Sequence, residues 1–301
     1  MAKDKIKIGL ALGGGGARGL AHIGVIKVLE RENIPIDVIT GTSMGAIIGG
    51  VYALERDILS VEKNTKKYSD IGRFDIGFTI SEKNRKDRPF ILRKVSEFLK
   101  KTYLLNLEFR RKYINEGEEL RKVIKELVDN KTFEDTKIPF AAVAADLVRG
   151  EKVILQTGKL FNALLASASI PGMFPPIIIN KKVLVDGGIV EVVPIEAARS
   201  LGANFIIAVN VSSTLKKRYE FSNMVEVLFR SDSITSNELR KLQLSFADAV
   251  ITPKVERFHW SDFSRPDKCI KEGEIAAQNS IAKLKEKLRY AKPSWWRRLF
   301  A

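Results

Sequence analysis

Cysteine and histidine are scarce in this chain. Its 301 residues hold one cysteine, Cys269, and two histidines, His22 and His259. A single cysteine excludes an internal disulfide and suits a reducing compartment. Cys269 reads as a solitary helix residue, not as a catalytic thiol. No apolar run reaches the roughly 20 residues that a membrane-spanning helix needs. A secretory signal is not expected, because the apolar stretch at residues 6–12 is too short and runs straight into glycines. A cytoplasmic location is expected, peripheral on the inner face of the membrane.

Acidic residues are also in deficit. Lys and Arg number 51 against 36 Asp and Glu, a net charge of +15. Such a field attracts polyanions: nucleic acid, an anionic membrane surface or an anionic substrate. No nucleic-acid-binding motif accompanies the charge. A lipid surface accounts for it equally well, and nucleic acid is not the expected partner. At 45% hydrophobic and 29% charged residues, the chain has the make-up of a globular protein with a substantial core.

Glycine, by contrast, comes in clusters. Gly41-Thr42-Ser43-Met44-Gly45 lies between the apolar run Ile34-Pro35-Ile36-Asp37-Val38-Ile39 and a helix-like run at residues 46–54. A serine flanked by glycines between strand and helix is the nucleophile-elbow pattern. A Cβ at Gly41 or Gly45 is expected to clash with closely packed neighbouring chain. The helix that follows points its first amides at developing negative charge.

Upstream, residues 7–12 read as a buried strand, then come Gly13-Gly14-Gly15-Gly16-Ala17-Arg18-Gly19 and a helix over residues 20–30. Clustered glycine amides form an anion nest, suited to the oxyanion of a tetrahedral intermediate. Downstream, Val183-Leu184-Val185 read as a short strand with Asp186-Gly187-Gly188 at its end. Sheets of α/β proteins present catalytic groups at strand ends, although an Asp before two glycines is also an ordinary turn signal.

The three blocks in this order resemble the patatin-like phospholipase family, with its glycine-rich oxyanion loop, G-x-S-x-G serine and D-G-G aspartate. Ala166-Ser167-Ala168-Ser169-Ile170-Pro171 matches the A-S-x-x-x-P stretch that such proteins carry before D-G-G. The resemblance covers roughly residues 6–211. It implies a three-layer α/β/α fold with a mostly parallel sheet, and acyl-ester hydrolysis by a Ser–Asp dyad. By position it makes Ser43 the nucleophile, Asp186 the base and Gly14, Gly15 and Gly16 the oxyanion hole. Arg18, Gly19 and Met44 would then line the substrate. No metal or other cofactor is expected, because amide dipoles supply the electrophile.

Other readings are open on the residues alone. An α/β-hydrolase triad could use His259, but it leaves the glycine loop and Asp186-Gly187-Gly188 without a joint purpose. Gly14-x-Gly16-x-x-Gly19 also fits a dinucleotide fingerprint. That fingerprint wants an acid at the end of the second strand, where this chain has Gly41-Thr42-Ser43, and Asp37 stands at its beginning. A basic, non-enzymatic membrane- or nucleic-acid-binding protein is the third alternative.

The organisation expected is a catalytic core at 6–211 carrying a basic helical insertion at about 56–112. A C-terminal helical extension with a basic, aromatic tail follows at 214–301. In the insertion, residues 81–112 interleave cations with apolar side chains, as amphipathic helices do. The tail Trp295-Trp296-Arg297-Arg298 pairs the residues that favour a membrane interface.

Overall fold

The computed structural model describes residues 6–69, 117–212, 215, 217, 219–221 and 224–291. The basic segment 81–112 and the Trp295-Trp296-Arg297-Arg298 tail lie outside the described residues. The sheet has eight strands: β1 (Ile8–Leu12), β2 (Val38–Thr42), β3 (Phe140–Asp146), β4 (Glu151–Leu155), β5 (Ile177–Ile179), β6 (Lys182–Asp186), β7 (Phe205–Val209) and β8 (Ala249–Ile251). Their order is β5-β6-β3-β2-β1-β7-β8, with β4 also on β3. The pairs β1–β2, β2–β3, β1–β7 and β7–β8 are parallel. The three pairs β3–β4, β3–β6 and β5–β6 are antiparallel.

The described helices are α1 (Ala21–Arg31), α2 (Met44–Glu55), α3 (Ile58–Ser69), α4 (Glu118–Val128), α5 (Leu160–Ser167), α6 (Ile195–Ser200), α7 (Met224–Ser245) and α8 (Pro266–Arg289). The strands alternate between two cores. Leu10 and Leu12 of β1 and Ile207 and Val209 of β7 face the larger one, with side chains of α1, α2, α5 and α8. Ala11, Ile206 and Ala208 face the smaller one, with Ile195 and Ala198 of α6. A mixed, mostly parallel sheet with helices on both faces is the α/β/α arrangement that the sequence implied.

Two details sharpen the sequence reading. The second strand starts at Val38, not at Ile34. Pro35 has no N–H to give a ladder, and the Asp37 carboxylate accepts the Ile8 N–H at 2.7 Å. The C-terminal third joins the same fold. It supplies β8 at the sheet edge, and Cys269, Ile270, Ala277 and Ile281 of α8 lie in the same core as α1.

The register on β3 decides what meets what. β4 takes one edge of β3 over Ala142–Asp146. The other edge is divided: β2 takes Phe140 to Val143, and β6 takes Ala144 to Asp146. Thr42 is therefore opposite Val143, and the next position on β3, Ala144, is opposite Asp186. Where β2 leaves the ladder at Ser43, the end of β6 takes its place.

Candidate active site

Ser43 sits at the turn between β2 and α2 with φ 55 and ψ −123. A non-glycine residue there stores strain of about 1–3 kcal/mol and persists only when its surroundings hold it. The surroundings do so. A Cβ on Gly41 would strike the Ala46 backbone, and one on Gly45 the Leu12 carbonyl. The Ser43 N–H donates to Ser167 Oγ at 3.0 Å, and that hydroxyl donates onward to the Val143 carbonyl at 2.6 Å. Ser43 and Asp186 are both buried, at 8% and 6% exposure, so little water competes for either side chain.

The Asp186 backbone is fixed from the same block. Its N–H donates to the Ser169 carbonyl at 2.9 Å, and its carboxylate caps the short turn beyond it by accepting the Gly188 N–H at 2.7 Å. Burial pushes the Asp186 carboxyl up to about 6, against hydrogen bonds from the Ser43 side chain and the Gly188 N–H that pull it down. No cation contributes to that balance. The result is a proton acceptor beside a hydroxyl, tuned towards neutral pH by desolvation. Ser167 and Ser169 are the residues whose roles the sequence did not reveal. The A-S-x-x-x-P stretch marked them, but only the structure shows one holding the Ser43 amide and the other the Asp186 amide.

The glycine loop leaves β1 beside this pair. A Cβ on Gly14 would stand 3.4 Å from Ser43 Cβ. The loop amides are not equivalent in their hydrogen bonding. Gly13 N–H donates to Val209 O at 3.0 Å and Gly14 N–H to Val192 O at 2.9 Å. Among the described residues, the N–H groups of Gly15, Gly16 and Met44 donate to no protein acceptor. Gly16 has φ 57, a conformation glycine adopts without penalty.

Arg18 Nε donates to the Gly15 carbonyl at 3.2 Å. A trans peptide points its C=O and N–H in opposite directions, so this bond aims the Gly16 N–H away from Arg18. Arg18 is thus a loop anchor. Gly19 provides space: a Cβ there would overlap the Met44 side chain.

The two histidines lie elsewhere in function. His22 is fully buried and its Nε2–H donates to the Gly13 carbonyl at 2.8 Å. Burial lowers its pKa to about 4, so it is a neutral strut for the loop. His259 is exposed and shares a hydrogen bond with Ser261 Oγ at 2.7 Å. It makes no hydrogen bond to Ser43 or Asp186. Its neighbour Trp260 touches the loop through the main chain, accepting the Ala17 N–H at 2.6 Å. Cys269 is buried, and desolvation pushes its thiol up to about 12, far from a nucleophile's range. No group of three or more His, Cys, Asp or Glu among the described residues could hold a metal ion.

The family model described as patatin-like phospholipase matches residues 10–199. A lysophospholipase NTE1 of Cryptococcus neoformans var. neoformans is 34% identical over 207 residues, 69% of this chain and 11% of its own length. Another, of Kluyveromyces lactis, is 27% identical over 305 residues, 93% of this chain and 19% of its own. The chain thus spans less than a fifth of the length of these relatives. Among solved structures, VipD from Legionella pneumophila is 14% identical with a TM-score of 0.49, covering 92% of this chain and 67% of that one. By the extent of the family match and the identity to its relatives, the chain belongs to the patatin-like phospholipase family.

Proposed function

We propose that the chain hydrolyses fatty acyl esters of phospholipids or lysophospholipids, with Ser43 as nucleophile and Asp186 as its base. One observation carries the reading: a strained, buried serine at the point where β2 gives way to the end of β6, beside a buried carboxyl that is raised to about 6 against the pull of the Ser43 side chain. Ser43 Oγ attacks the ester carbonyl carbon as Asp186 takes the hydroxyl proton. The carbonyl oxygen becomes an oxyanion, met by the free amides of Gly15, Gly16 and Met44. Collapse breaks the bond to the leaving alcohol, which takes the proton back from Asp186. Water, deprotonated by Asp186, then attacks the acyl-serine and releases the fatty acid and Ser43. The relatives' descriptions as lysophospholipases support a one-chain lipid as substrate.

Fatty-acid release from a panel of phospholipids and lysophospholipids tests this, with wild type, Ser43→Ala and Asp186→Asn in parallel. The reading expects release by wild type and none above background by either variant. Release by Ser43→Ala at the wild-type rate would overturn it.

A further inference from the structure

Two hairpin tips project at the end of the sheet where Ser43 lies, and together they present an apolar row to solvent. β3 ends at Asp146, and the turn to β4 exposes Leu147 at 52% and Val148 at 67%. Beside it, the β5–β6 hairpin turns through Asn180 and Lys181, both at positive φ, with Ile178 exposed at 74%. The register joins the tips. Ile178 pairs with Val183, and the Leu147 N–H donates to the Val183 carbonyl at 2.9 Å. Paired residues share a face, so Leu147, Val183 and Ile178 form one cross-strand row. Their neighbours on the opposite face, Ile177 and Leu184, are buried. The fold therefore has an inside for this hairpin, and the row is on its outside.

The charge around the row is mainly positive. Lys181 and Lys182 form the tip and make no ion pair with any described residue. Arg149 adds a third cation, held by Asp146 at 2.9 Å, and Glu151 is the one exposed acid in the two turns. Exposed aliphatic side chains beside unpaired lysines match the chemistry of an anionic bilayer surface: tails for the apolar row, headgroups for the ammonium groups. The row is also near the site. Leu147 follows Ala144, the partner of Asp186, by only about 10 Å of strand.

We propose that the paired tips of the β3–β4 and β5–β6 hairpins, Leu147, Val148, Ile178, Lys181 and Lys182, form the face that docks this chain on anionic lipid surfaces. This rests on the lipid-hydrolase reading for its purpose, but its test does not. The full chain is co-sedimented with vesicles of phosphatidylcholine alone and with phosphatidylserine added. Two double variants, Val148→Glu with Ile178→Glu and Lys181→Glu with Lys182→Glu, are compared with wild type. All four side chains are at the surface or the tip, so the fold is expected to hold.

Wild type should bind the anionic vesicles more than the neutral ones. Each double variant should lower that binding about tenfold, while hydrolysis of a soluble short-chain ester stays at the wild-type rate. Ser43→Ala should bind as wild type does, so vesicle binding is scored even if no lipid is cleaved. The proposal is overturned by a wild type that binds neither vesicle, or by variants that bind as wild type does. A parallel fall in soluble-ester hydrolysis also overturns it, since the row would then support the site and not dock it.

Discussion

Asp146 and Asp186 are two buried aspartates on paired strands, two register steps apart, with opposite electrostatic fates. For Asp146, burial raises the pKa, but the Val148 N–H and the Arg149 guanidinium outweigh it and hold the carboxyl below its usual range. For Asp186, burial wins, because the opposing contacts are one backbone N–H and one hydroxyl and no cation is near. Two things separate them: Asp146 lies just under the surface and is held by a guanidinium, whereas Asp186 lies deep beside Ser43 with no cation to offset its desolvation.

The comparison breaks first on activity. Ser43→Ala and Asp186→Asn should each lower kcat for lipid or ester hydrolysis by several powers of ten. Asp146→Asn should retain most of the rate and lose stability, since it leaves an oxygen for the Val148 N–H but replaces the charged oxygen that holds Arg149 with an amide NH2. Steady-state kinetics with thermal melts on the three variants separates the roles. An Asp146→Asn protein that folds as well as wild type yet is as inactive as Asp186→Asn would reverse the assignment.

The next effect lies in the loop. Gly15→Ala and Gly16→Ala keep the N–H but displace it, since the added Cβ would meet Val211 Cγ2 at 2.8 Å or the Trp260 carbonyl; kcat should fall by up to roughly 10²–10³, the cost of an oxyanion donor out of place. Gly14→Ala should cost less than either, because its N–H is already committed to Val192 and its Cβ would meet Ser43 at ordinary contact distance. Equal losses at Gly14, Gly15 and Gly16, with KM unchanged, would show that the free-amide distinction has no catalytic meaning.

How much of this was legible in the sequence follows from what is local. Gly41, Ser43 and Gly45 declare a turn whose geometry depends on residues within one step of it, and the elbow is found there. The strand at Val183-Leu184-Val185 with Asp186 at its end was likewise readable from neighbouring residues. Three things were not. That Asp186 occupies the place vacated by β2 depends on register across more than 140 residues of chain. The difference between Gly14 and Gly15 depends on where Val192 returns. The bonds of Ser167 and Ser169 join α5 and its following turn to strands on either side, and two serines in an alanine-rich stretch carry no sign of that.

A smaller effect is one of pH. The proposed base, Asp186, can take a proton only when ionised, so kcat/KM should fall as pH drops through about 6 and be flat above it. Stability should run the other way. A carboxyl raised above its unfolded value of 3.8 favours the fold fully below that value and loses the benefit as pH rises through about 6. Asp186→Asn should therefore melt higher than wild type above pH 6, and the advantage should vanish near pH 4. Asp146, displaced downward, should show the opposite sign, its contribution disappearing as pH falls. Melting curves of both Asn variants from acid to neutral pH measure the contrast, and parallel curves would refute it.

The smallest expected effect is at His259. It is exposed, its Nδ1 bonds Ser261, and the link from its loop to the glycine loop runs through the Trp260 main chain. None of this needs an imidazole, so His259→Ala should change stability by no more than about 0.5 kcal/mol and keep most of the hydrolytic rate. The acidic limb of the rate profile should also stay where it was, since the limb belongs to Asp186. This variant is nonetheless decisive for mechanism. A Ser-His-Asp triad would make His259→Ala as inactive as Ser43→Ala, and the acidic limb would then report an imidazole. Measuring kcat/KM against pH for His259→Ala and wild type distinguishes the two, because only the dyad leaves both the rate and the limb in place.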